Sequence, residues 1–80
     1  MPGVSRPFVV LAFSTTHDAL AAETALRDAG LAVVPIPTPR SVGALCGIAL
    51  RLPPEQAASA EETLRAVSIV PTTRVDIEDV

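Results

Sequence analysis

Apolar residues run unbroken from Pro7 to Phe13, too short a stretch for a helix and rich in β-formers, which predicts a strand buried on both faces. The pattern then changes period. After Ser14-Thr15-Thr16-His17-Asp18, residues Ala19, Ala22, Leu26 and Ala29 fall on one helical stripe, while Glu23 and Arg27 stand four apart as an ion pair. Thr15 and Asp18 have capping-box spacing, and Gly30 suits the residue just past the helix end. Leu31 to Ile36 predicts a second strand, placed at a sheet edge by Pro35, and the alternate prolines 35, 37 and 39 predict a stiff, polyproline-like exit from it. Gly47 to Leu52 predicts a third strand, stopped by Pro53-Pro54. A second helix is expected from about Pro54, with Ala57, Ala60, Leu64 and Val67 on its apolar stripe and Glu61 paired with Arg65. Thr72 to Glu78 alternates polar residues with Val75 and Ile77, as a half-buried last strand does.

The order βαββαβ predicts an α+β, ferredoxin-like domain over residues 7–80, preceded by a loose terminus at 1–6. Its four-stranded antiparallel sheet would have the order 4-1-3-2 and both helices on one face. Along the first strand Val9, Leu11 and Phe13 point one way and Phe8, Val10 and Ala12 the other, so the helix-free face still carries large apolar groups. A homodimer or a docked protein on that open face is therefore expected, unless the stems of Arg51, Arg74 and Asp76 cover it.

Composition narrows the function classes. A chain of 80 residues supports a thin core and no large enclosed pocket. Tyrosine and tryptophan are absent, the net charge is −3, and the six arginines are scattered, which argues against nucleic acid and anionic membrane as partners. One cysteine and one histidine give neither an internal disulfide nor a self-sufficient zinc site, and nothing calls for a cofactor. No run of about 20 apolar residues is present to span a bilayer, and the early apolar run stops too soon for a secretory signal, so a cytoplasmic protein is expected.

The candidate chemistry centres on Cys46. In the expected topology the start of the third strand lies beside the end of the first, bringing Cys46 to Ser14, Thr15, Thr16 and His17. The unsatisfied N–H groups and positive dipole end of the first helix are found there too. A thiol of ordinary pKa is roughly 3% ionised at pH 7, and about 1.4 kcal/mol of preferential stabilisation raises that to about a quarter. The dipole together with Arg40 is a plausible source, and Gly47 leaves no side chain beside the sulfur. The residues alone leave each role open. Cys46 is equally readable as a small core hydrophobe, His17 as an exposed polar residue, Arg40 as a loop arginine, and Thr15 and Thr16 as helix caps. An autonomous hydrolase or transferase would need a second catalytic residue, for which His17 is the sole candidate.

Phe13 to Leu20, Glu23, Leu26 to Gly30, Pro37-Thr38-Pro39-Arg40 and Cys46-Gly47-Ile48-Ala49-Leu50 resemble a small bacterial family of selenium/sulfur carrier protein-like domains. The resemblance spans most of residues 8–68. It departs at Val42 to Leu45, which is more apolar than the segment expected ahead of the cysteine. The resemblance implies a carrier more than an enzyme. Cys46 would hold sulfur or selenium as a persulfide or selenosulfide, taking it from a cysteine desulfurase-type donor and passing it to an acceptor protein. The competing class is a regulatory or docking module of ferredoxin-like fold in which Cys46 only packs.

Overall fold

The computed structural model describes residues 6–39 and 47–79. Its elements are β1 (Arg6–Ala12), α1 (Thr16–Asp28), β2 (Val34–Pro37), β3 (Ile48–Leu52), α2 (Ala57–Ala66) and β4 (Thr73–Asp79). The strands form one antiparallel sheet in the order β2-β3-β1-β4, which is the expected ferredoxin-like arrangement. Leu11 pairs with Leu50 on one side and Arg74 on the other, and Val9 with Leu52 and Asp76. Both helices cover the Val9, Leu11 and Phe13 face, where Leu50 and Leu52 meet Ala19, Ala22 and Leu26 of α1 and Ala57, Ala60 and Leu64 of α2. The small alanines let the helices approach the sheet closely, and the leucines fill the space between. No helix among the described residues is long and apolar enough to cross a membrane.

Both helices end in the same way. The Gly30 N–H donates to the Arg27 carbonyl and the Leu31 N–H to the Leu26 carbonyl, the Schellman pattern, with Gly30 at φ +80°. At the end of α2 the Ser68 N–H donates to Arg65 and the Ile69 N–H to Leu64, with Ser68 at φ +61°. These reversals remove two residues from the expected apolar stripes. Ala29 and Val67 are the C-cap residues and are exposed, because the helix turns away from the core at their positions.

Three further expectations are corrected. The second strand begins at Val34, not Leu31, because Leu31 still closes α1, and it runs through Pro35 and Pro37 in place of a polyproline exit. The Thr38 N–H donates to the Gly47 carbonyl, so by alternation Val34 and Ile36 direct their N–H groups towards β3 while Pro35 and Pro37 face the outer edge, where no donor is required. The second helix opens with a 3₁₀ turn at Pro54–Gln56. Glu61 reaches Arg74 of β4 instead of Arg65, because β4 brings a guanidinium to α2.

The second sheet face is not the exposed apolar expanse expected from sequence. Val10, Ala12 and Ala49 are buried, with Ile36 packed against them, and Val34 at the edge is the exposed large hydrophobe there among the described residues. Arg51 does lie across this face, its guanidinium carbon 4.3 Å from the centre of the Phe8 ring. Arg74 and Asp76 do not, since they pair with Leu11 and Val9 on the helix face.

Candidate functional site

The end of the sheet where β1 stops and α1 starts gathers polar residues distant in sequence. Thr15 is extended (φ −131°, ψ 150°), and its Oγ1 accepts the Asp18 N–H at 3.0 Å while its carbonyl accepts the Ala19 N–H. Thr15 is therefore the N-cap of α1, although Asp18 makes no return bond among the described residues. With Asp18 satisfied, the N–H groups of Thr16 and His17 are left without intrahelical acceptors at the positive end of the helix. Thr16 and His17 are both exposed in this first turn.

Two contacts tie this turn to other strands. Ser14 Oγ and Thr72 Oγ1 are 2.6 Å apart, either able to donate, and the Thr72 N–H donates to the Ala12 carbonyl at 2.9 Å. Ala12 at the end of β1 and Ser14 two residues on are thus both bonded to Thr72, the residue that leads into β4. On the other side, Ala12 pairs with Ala49, and carrying that register two residues onward puts Gly47 level with Ser14. Gly47 is exposed, does not have a positive φ, and a Cβ built on it would meet nothing within 4 Å. The glycine there is demanded neither by backbone angle nor by crowding from the described residues.

Of the sequence candidates, Thr15, Thr16, His17 and Gly47 come together at this end of the sheet. Cys46 and Arg40 lie outside the described residues. The strand order expected from sequence already brings the start of the last strand, Thr72 to Arg74, to this end, but the Ser14–Thr72 bond and the presence of Thr38 were not foreseen. Thr72 is 58 residues from Ser14, so only the strand order links them, and Thr38 was read as part of a proline strut when it is a hydrogen-bonding partner of Gly47. Among the described residues no three of His, Cys, Asp or Glu come together as a metal site.

The chemistry open to such an end is limited. It offers backbone N–H donors, hydroxyls and a helix dipole, all of which favour an anion over a neutral group. A thiolate or persulfide held there gains stability without a deep pocket.

Residues 8–75 match the family described as "Putative Se/S carrier protein-like". No curated protein and no solved structure matches the chain.

Proposed function

The chain belongs to the family described as "Putative Se/S carrier protein-like", and from that premise we propose that Cys46 is the atom-carrying residue, relaying sulfur or selenium between a donor and an acceptor protein. The observation that supports it most is the position of Gly47, bonded in sequence to Cys46, level with the open N-terminus of α1.

In the proposed cycle the Cys46 thiolate attacks the outer chalcogen of a donor persulfide, R–S–SH or R–S–SeH, such as that of a cysteine desulfurase. The donor's bond to that atom breaks, its electron pair leaves with R–S⁻, and Cys46 becomes the persulfide or selenosulfide. An acceptor nucleophile then attacks the same outer atom, and the Cys46 thiolate departs. A lowered thiol pKa serves both steps, raising the thiolate fraction for the first and improving the leaving group for the second. The N–H groups of Thr16 and His17, the guanidinium of Arg40 and the Gly47 backbone are assigned to holding the anion. Thr15 acts through its cap by fixing the direction of the helix end.

Incubation of the reduced protein with cysteine persulfide, followed by intact-mass measurement with and without dithiothreitol, tests the reading. A reductant-labile increment of one sulfur is expected in the wild type and absent in Cys46→Ser. A wild type that takes up no sulfur, or a Cys46→Ser variant that takes up as much, overturns it and favours the docking module. Alkylation against pH should place the thiol midpoint below about 8.5, and Arg40→Gln should move it upward with little change in melting temperature.

A further inference from the structure

Beside this end of the sheet the surface between α2 and β4 opens into a groove of about 270 Å3. Its lining comprises the buried Leu11, the apolar run Ile69-Val70-Pro71, and the charged residues Glu61, Arg65 and Arg74, of which Glu61 and Arg74 are paired with each other. Pro71 precedes Thr72, the residue bonded to Ser14, so the groove adjoins the candidate site.

Three observations limit what it can take. Its volume is below the roughly 300–1,000 Å3 of sites that enclose a drug-sized molecule or cofactor, which suits one or two side chains. Val70, at 79%, is the most exposed large hydrophobe among the described residues, and Val67 nearby is 49% exposed. The two arginines also differ. Arg74 is bound to Glu61 and lies near Asp76, contacts that hold its pKa above the ordinary arginine value, with the Glu61 hydrogen bond the main cause. Arg65 makes no ion pair among the described residues, leaving a free guanidinium at the lip of an apolar cleft.

We infer that this groove docks an acidic, apolar-tipped segment of the protein that exchanges chalcogen with Cys46, the carboxylate meeting Arg65 and the adjacent apolar side chain lying over Leu11 and Val70. The identity of the partner as an exchange partner rests on the carrier reading; the docking chemistry does not. The partner's apolar side chain covers Val70, and its carboxylate supplies Arg65 with the ion pair it lacks among the described residues, Glu61 being held by Arg74. Such a contact holds the partner within reach of the sheet end without touching the residues assigned to the anion.

Titration of methyl- and 15N-labelled Cys46→Ala protein with N-acetyl-Glu-Leu-amide tests the groove independently of any sulfur chemistry. Shifts confined to Leu11, Ile69, Val70 and the Arg65 side chain are expected, saturating at millimolar probe. N-acetyl-Lys-Leu-amide should bind at least about tenfold more weakly, and Arg65→Glu should reverse that preference. Absence of shifts, or equal binding of the two probes, overturns the inference. Binding of 4-methylpentanoate as tight as that of the dipeptide would make the groove a small-carboxylate site and overturn it likewise. Sulfur loading from cysteine persulfide should be unchanged in Arg65→Glu, and a collapse of loading would place the groove in the chemistry instead of in docking. Failure of the carrier reading itself appears only in the wild-type loading assay.

Discussion

The two helices share an ending but not a means of reaching it. Helix α1 has a threonine at its N-cap with the side-chain bond made, and a glycine at its left-handed C-terminal residue. Helix α2 enters through Pro54–Gln56 with no side-chain cap and leaves through Ser68, which takes the same left-handed turn at a steric cost that glycine avoids. Gln56 does not serve its own helix. Its Oε1 accepts the Ala32 N–H at 2.8 Å, joining the start of α2 to the chain just beyond α1. Helix α1 is specified locally and supports the candidate site at its N-terminus. Helix α2 depends on contacts with other elements.

The contrast concerns helix ends and not the core, so the largest effects should be equal in the two halves. Leu26→Ala and Leu64→Ala each remove a fully buried side chain and should each cost about 2–5 kcal/mol in urea denaturation. A cost below about 1 kcal/mol for Leu64→Ala alone would mean that α2 is poorly packed as well as poorly capped. Thr15→Ala should cost about 1 kcal/mol, and hydrogen exchange should quicken first at Thr16 to Ala19. The C-terminal residues sharpen the comparison by sign. Ser68→Gly should raise stability by roughly 0.5–1 kcal/mol, whereas Gly30→Ala should lower it by about 1 kcal/mol. Equal and opposite shifts in the urea midpoint would establish the point, and a Ser68→Gly variant no more stable than the wild type would break it. The smallest change is expected at Gly47→Ala, within about 0.5 kcal/mol because the added methyl meets nothing among the described residues. Slower alkylation of Cys46 in that stable variant would show that the glycine keeps an approach open.

The sequence was most legible where a local rule had one solution. The unbroken run at residues 7–13 is a central strand, the Thr15 hydroxyl is a cap, and Gly30 is the left-handed terminus, each set by residues within a few positions of one another. Legibility failed where a distant group outbid a near one. Glu61 had Arg65 one turn away, but Arg74 arrives from β4 and takes the carboxylate. Ser68 carries no sign of a positive φ, because the tertiary packing of Ile69 imposes it. The alternate prolines were read as a polyproline-like departure from the sheet because each fixes φ and holds its predecessor extended, although Pro35 itself was placed in an edge strand. In an edge strand every second residue turns its N–H away from the ladder and needs no donor, and the spacing of two is what allows the strand to continue. The end of the sheet near α1 was located from strand order alone, which also brings Thr72 there, but the Ser14–Thr72 hydroxyl bond and the Thr38 N–H to Gly47 have no local signature.

Those prolines have a further consequence for assembly. Open-ended growth of a β-fibre requires each chain to offer two edges, one to receive a neighbour and one to pass the ladder on. Pro35 and Pro37 leave the β2 edge with outward carbonyls but no outward N–H donors, so it is a poor template for a further strand, whereas the β4 edge carries no proline. Association by strand addition is thereby biased to stop after one step, because a pair of chains joined through β4 is left with two donor-poor β2 edges.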